Sequence, residues 1–287
     1  MTPTRSAFRH VERLRVRWAE VDAQGIVFNG HYLMYLDTAM AAYWRAMALP
    51  YVESLARLGG DLYVRKAGLE YHAPARYDEL IDVGLRARRL GSSSLAFEAA
   101  VFRGAQRLVD GELVYVFADP ATQTSLPLPP ALRAVIEAYE AGEAMLAVST
   151  GPWAELGAEA RAVREEVFVQ EQGIAPADEW DEADAGALHA VARNRLGMAL
   201  ATGRLLRHAP GVAKIGRMAV RPALRGGGAG LAVLDALMQA ARVRGDREVM
   251  LHAQTAAAGF YARAGFVADG PDFDEVGIPH RAMRRVL

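Results

Sequence analysis

Two stretches of this chain carry residue types whose spacing could do chemistry. The first runs from Met218 to Gly230, with Arg225, Gly226, Gly227, Gly228, Ala229 and Gly230 at its end. Ile215, Met218 and Val220 are apolar and read as a strand. Arg221-Pro222 ends that strand, because proline lacks the N–H a ladder needs. Leu231, Leu234, Met238 and Ala241 then recur at helical spacing. The loop between strand and helix carries Arg-x-x-Gly-x-Gly. Glycines let backbone N–H groups approach an anion closely, and a helix N-terminus offers several such groups to a pyrophosphate. Glycine spacing alone describes a plain connector equally well. The second stretch is Asp22-Ala23-Gln24-Gly25-Ile26-Val27, followed by Phe28-Asn29-Gly30-His31-Tyr32. A loop carboxylate here could act as a nucleophile or general base, or serve only as a turn or capping residue.

The elements that must position these residues follow from periodicity. Leu14, Val16 and Trp18 alternate with Arg13, Arg15 and Arg17, the pattern of a half-buried strand. Leu33, Leu36, Met40, Tyr43, Trp44 and Met47 mark a helix over 32–47, with Asn29 as N-cap and Pro50 as its close. Four strands follow: 62–72 ended by Pro74, then 80–90, 95–101 and 113–117, with Asp110-Gly111 as the hairpin turn between the last two. A proline-rich exit leads to a helix bearing Leu132, Val135, Ile136 and Tyr139, and Gly142 closes it. Further on, a strand is expected at 145–148, a helix at 154–170, strands at 187–192, 198–206, 212–220 and 248–253, and a short helix at 256–264. Glu179, Asp181, Glu182 and Asp184 flank Trp180 and read as a solvated acidic loop.

The loop at Arg225–Gly230 resembles the acetyl-CoA loop of the GNAT N-acetyltransferases. Phe260-Tyr261-Ala262-Arg263-Ala264-Gly265-Phe266 is similar to a second segment of the same superfamily, in the right order and separation. The resemblance runs from about Ala144 to the C-terminus. Val167 to Gln172, the acidic segment and Gly277-Ile278-Pro279-His280 resemble its ElaA-like branch. It implies that backbone groups of Met218 and Val220 hold the pantetheine arm and acetyl carbonyl. It also implies that Tyr261 is the general acid. Glu165, Glu166, His252 and His280 are candidates for the base. The acceptor amine is unspecified.

The Asp22–Tyr32 block resembles the hotdog-fold acyl-CoA thioesterases of the 4-hydroxybenzoyl-CoA type. This chain has Asn29-Gly30-His31 where many relatives carry His-x-Asn. The resemblance implies Asp22 as the carboxylate catalyst, and Phe28, Asn29, Gly30 and His31 as the oxyanion and substrate-binding segment. Arg86, Arg88 and Arg89, before Gly91-Ser92-Ser93-Ser94, could meet CoA phosphates or form a solvated strand face. It further implies a homo-oligomer, a dimer or tetramer assembled through the hotdog domain, with sites built between subunits.

Composition bounds the rest. The chain has 287 residues, a net charge of −1 and no cysteine. Disulfides and thiolate chemistry are excluded, and no charge argument favours nucleic acid or membrane. The seven histidines show no metal-ligand spacing, so no metal is expected. Residues 1–16 lack an apolar core for a secretory signal, and no apolar run approaches the ~18 residues of a spanning helix. The expected protein is a cytoplasmic α+β enzyme of two domains. Residues 1–142 form a hotdog thioesterase, a long helix wrapped by an antiparallel sheet. Residues 143–287 form a GNAT acetyltransferase. Acyl-CoA and acetyl-CoA are its substrates. The alternative is an acetyltransferase whose hotdog domain is a non-catalytic acyl-CoA sensor and oligomerisation module.

Overall fold

Tyr32, Tyr35, Leu36, Ala39, Met40, Tyr43 and Trp44 recur every three or four residues, and all are buried on one side of helix α1, His31–Ala46. In the computed structural model, which describes residues 3–287, the chain divides into two compact units, Met1–Met145 and Leu146–Leu287. The break lies just past the 142/143 boundary expected from Gly142. No helix among the described residues is long and apolar enough to cross a membrane.

The first unit contains β1 (His10–Arg15), α1, α2 (Tyr51–Arg57), β2 (Asp61–Tyr71), β3 (Leu80–Leu90), β4 (Ser94–Arg103), β5 (Gln106–Ala118) and α3 (Pro130–Glu140). The strands form one antiparallel sheet in the order β1-β3-β4-β5-β2, which leaves β2 at an edge. Leu95, Phe97, Ala99 and Val101 are fully buried, so the sheet face under α1 is dry. Gly111 sits where helix and sheet meet. A Cβ there would lie 2.8 Å from Leu36 Cδ2 and 3.1 Å from Ala99 Cβ. Asp110 and Gly111 are therefore mid-strand in β5, opposite Ala100 and Ala99, and not the expected hairpin turn. The chain reverses at Gly104-Ala105 instead.

Other expectations are corrected here. Strand β1 ends at Arg15. Trp18 is 75% exposed in a 3-10 turn, because Glu20 draws the backbone N–H and the guanidinium of Arg17 into a tight local loop. Asn29 does not cap α1. Gly30 holds that position, and the Asn29 side chain accepts the N–H of Gly30 at 2.9 Å. Pro50 opens the short helix α2, which the reading from periodicity did not include.

The second unit contains β6 (Leu146–Pro152), α4 (Trp153–Arg164), a π-helical turn (Glu165–Glu171), α5 (Pro176–Glu179), α6 (Ala183–Gly186), β7 (Leu188–Asn194), β8 (Ala199–Ala209), β9 (Val212–Val220), α7 (Ala229–Arg244), β10 (Glu248–Gln254), α8 (Ala258–Arg263), β11 (Val267–Glu275) and β12 (Ile278–Val286). Its seven-stranded sheet has the order β11-β12-β10-β9-β8-β7-β6. Val233, Leu234, Leu237, Met238 and Ala241 bury one face of α7, whereas Leu231 is 45% exposed and does not belong to it. Strands β9 and β10 pair in parallel from Val212/Glu248 to Ile215/Leu251 and no further, although β9 runs on to Val220 and β10 to Gln254. The two strands part there, so this side of β9 at Met218–Val220 is unpaired with β10.

Candidate active sites

The loop around Asp22 is closed by its own backbone. Asp22 N–H donates to Ile26 O and Gly25 N–H to Asp22 O, both at 2.9 Å, and Val21 bridges Val27. Asp22 Oδ1 accepts the Gln24 N–H at 2.8 Å, so one carboxylate oxygen holds the turn. Asp22, Val27, Phe28, Asn29, Tyr32 and His72 are among the residues lining an open cavity of about 450 Å³. Of the backbone donors near the start of α1, Phe28 N–H is taken by Glu20 O at 3.0 Å, Gly30 N–H by Asn29 Oδ1, and His31 N–H by Phe28 O. Asn29 N–H has no acceptor among the described residues. Tyr71 Oη donates to Asn29 O at 3.0 Å and steadies this segment. Gly30 and His31 do not line the cavity. His31 Nδ1 lies 3.3 Å from Met34 Sδ, and its ring packs edge-on against Phe28.

His72 is the cavity residue the sequence did not single out. Its Nε2 lies 2.8 Å from Asp110 Oδ2, across 38 positions of chain. With Glu70 these residues bring ligand-type atoms within 4.8 Å of one another, a donor set that no sequence spacing announced. Arg107 already binds Asp110. Of the expected phosphate-binding arginines, Arg86 is held by Glu98 at 2.8 Å, and Arg88 lies 3.8 Å from the same carboxylate.

In the second unit the glycine loop lies between β9 and α7. Gly228 precedes the helix with φ of 87°, in the left-handed region that disfavours side chains. Gly227 N–H donates to Leu224 O. The N–H groups of Gly226, Gly228, Ala229 and Gly230 have no acceptor among the described residues, which leaves a concave set of donors at a helix N-terminus. Arg225 does not reach over this loop. Its guanidinium is bidentate on Glu171, with Nη1 at 2.6 Å from Oε1.

A cavity of about 330 Å³ opens where β9 and β10 part. Tyr261, His252, His280 and Glu275 line it, and Glu165 and Glu166 do not. Burial pushes the Tyr261 hydroxyl up to about 12. That hydroxyl has no hydrogen-bond partner among the described residues, while its ring packs on Phe260 and Phe266. His252 Nδ1 lies 3.1 Å from Glu275 Oε2, and Phe273 packs edge-on against its ring. His280 Nδ1 donates to Ile278 O at 2.8 Å.

The acidic run is not a solvated loop. Glu179 and Asp184 are buried and both hold Arg164, which is 1% exposed. Asp184 and Asp181 hold Arg204, and Asp181 and Glu179 reach Arg217. Trp180 packs beneath the guanidinium groups of Arg161 and Arg164. Burial raises the Glu179 carboxyl, and the arginines oppose that shift. For Asp184 burial also acts upward, but the hydrogen bonds and charges of Arg164 and Arg204 bring it below its usual range.

Comparison with known proteins divides along the same break. Residues 24–109 match the family described as Thioesterase superfamily, and residues 161–287 match the one described as Acetyltransferase (GNAT) domain. A relative from Aquifex aeolicus named "Putative esterase" is 31% identical over 93 residues, 32% of this chain and 72% of that protein. The "Acyl-CoA thioester hydrolase YbgC" of Escherichia coli is 25% identical over 122 residues, 42% of this chain and 90% of that protein. The "Uncharacterized N-acetyltransferase YjcF" of Bacillus subtilis is 36% identical over 124 residues, 43% of this chain and 87% of that protein. The chain thus joins two families in one polypeptide: its first half belongs to the thioesterase superfamily, with a hotdog fold, and its second half to the GNAT acetyltransferases.

Proposed function

We propose that the first unit hydrolyses acyl-CoA thioesters and that the second transfers acetyl from acetyl-CoA to an amine. The observation that supports hydrolysis is the shared cavity of Asp22 and Asn29. The carboxylate of Asp22 either takes a proton from an attacking water or attacks the thioester carbonyl itself, forming an anhydride that water opens. In both routes the carbonyl oxygen gains charge, and the Asn29 N–H donates to it. The C–S bond breaks, and the CoA thiolate takes a proton from solvent. Incubating the pure protein with acyl-CoAs of several chain lengths and following thiol release, with no amine added, tests this. Release that Asp22→Asn abolishes supports hydrolysis. No release across the panel would favour the acyl-CoA-sensing module instead.

Acetyl transfer is supported by the parting of β9 and β10 beside the open donors of the glycine loop. The pyrophosphate of acetyl-CoA lies on the N–H groups of Gly226, Gly228, Ala229 and Gly230. The pantetheine arm follows the backbone of Met218 and Val220, adding hydrogen bonds that β10 does not make there. Tyr261, kept protonated by burial, donates to the departing thiolate. Glu275 accepts the Nδ1–H of His252, which leaves a lone pair on Nε2 for the amine proton. Calorimetric titration of the whole protein with acetyl-CoA tests the donor half of this reading. Both reactions draw on CoA thioesters, which fits a cytosolic enzyme.

A further inference from the structure

The sheet face beneath the second cavity carries a row of residues from adjacent strands. Arg204 on β8 pairs across with Gly216 on β9, and Leu206 pairs with Lys214. Lys214 stands opposite Met250 on β10, and His252 is the next residue of β10 on that face, because strand side chains alternate. Strand rise and spacing put Lys214 and His252 roughly 8 Å apart between Cα positions. Gly216 lies between them on the floor, and a Cβ there would meet nothing within 4 Å. The floor is therefore open from one side chain to the other.

The charges around this floor divide into two poles. Arg164, Arg204 and Arg217 are matched by Glu179, Asp181 and Asp184 in the buried network. Lys214 stands outside it. It is half-buried, lines the cavity, and its Nζ has no partner among the described residues. Arg204 also lines the cavity at 6% exposure, and its Nε is buried without an acceptor. Opposite in sign are Glu275, on His252, and the carboxylate of Asp178, both of which also line the cavity. An unmet ammonium and an unmet buried N–H both favour an anionic oxygen brought by the ligand.

We propose that the acceptor is a primary amine that also carries a carboxylate, an amino-acid-like molecule. Its carboxylate sits on Lys214 Nζ and Arg204 Nε, and its amine faces His252. This inference rests on the acetyl-transfer reading above. In the reaction the amine nitrogen bonds to the acetyl carbon and the C–S bond breaks. The nitrogen gives one proton to His252 Nε2, and the thiolate takes one from Tyr261. Exchange with solvent restores both side chains, and the carboxylate takes no part in the bond changes.

The test uses the whole protein, acetyl-CoA and matched amines: phenylalanine with phenethylamine, leucine with isoamylamine, and lysine with 1,5-diaminopentane. N-acetylated product is read by mass spectrometry, so hydrolysis by the first unit is not counted. An amino acid is the weaker base and keeps more neutral amine, which alone favours it by about tenfold. The expected kcat/KM ratio within at least one pair exceeds that by about a hundredfold, the size of one charge-assisted hydrogen bond. Lys214→Met leaves the Arg204 Nε contact and should lower the ratio by about tenfold or more, and Lys214→Arg should restore it. A parent ratio near tenfold, or a preference for the decarboxylated amines, overturns the proposal. Acetyl-CoA binding without acetylation of any amine also overturns it and leaves the donor assignment standing. Failure to bind acetyl-CoA overturns the acetyl-transfer reading and the proposal with it.

Discussion

At Asp22 the replacement that disturbs least is asparagine. Its side-chain oxygen can still accept the Gln24 N–H now held at 2.8 Å, so the loop keeps its closing bond. What is lost is the negative charge that either hydrolytic route needs. We expect Asp22→Asn to lower acyl-CoA hydrolysis by at least ~10²–10⁴-fold while acetyl-CoA affinity stays put. Hydrolysis at the parent rate would remove Asp22 from the mechanism. Tyr261→Phe is the matching change in the second unit. The ring contacts with Phe260 and Phe266 persist, and no protein hydrogen bond is broken, so the melting temperature should hold. Acetyl transfer should fall by ~10²-fold or more without weaker acetyl-CoA binding. A variant that transfers at full speed would leave Tyr261 as packing alone.

At the scale of elements, the glycine loop is tested by Gly228→Val. With φ of 87° a β-branched residue is strained by ~1–3 kcal/mol, and its side chain would screen the N–H donors at the start of α7. Acetyl-CoA affinity should drop sharply in calorimetry, and an unchanged affinity would make the loop a connector. This loop was legible in the sequence because strand, turn and helix start lie within one continuous stretch. Partners distant in sequence were not legible. Nothing local tells that Arg164 lies beneath Glu179 and Asp184, so the run of acids read as solvated throughout although these two members are buried. His72 and Asp110 meet only once β2 and β5 pair, and Gly111 is explained only by Leu36 on a helix far upstream. The buried ion network should also be brittle. Arg164→Met leaves Glu179 without its shortest partner and should destabilise the fold by about 3 kcal/mol. Urea unfolding of the variant measures this, and a loss well under 1 kcal/mol would mean that Arg204 and Arg217 suffice to balance the acids.

At the scale of the whole molecule, an unpaired sheet edge raises the question of assembly. Strand β2 runs for 11 residues, pairs with β5 alone and carries exposed Tyr63, Val64 and Tyr71. A long edge with apolar side chains invites pairing with a second copy, and two-fold pairing is the commonest closed solution. Phe28 and Met34, each 52% exposed near the start of α1, extend the apolar surface beside the Asp22 cavity. We therefore expect a homodimer or a pair of dimers built through the first unit. The resemblance to thioesterases with shared sites adds the expectation that Asp22 of one copy faces Arg88 or Arg89 of the other. Val64→Lys puts a charge on the edge without touching the core, since Val64 is 59% exposed. Light scattering should then report the monomer, with acyl-CoA hydrolysis lost and acetyl transfer retained. If the parent is itself a monomer and still hydrolyses acyl-CoA, each chain holds a complete thioesterase site and the shared arrangement is wrong. If Val64→Lys stays dimeric, the interface lies away from β2.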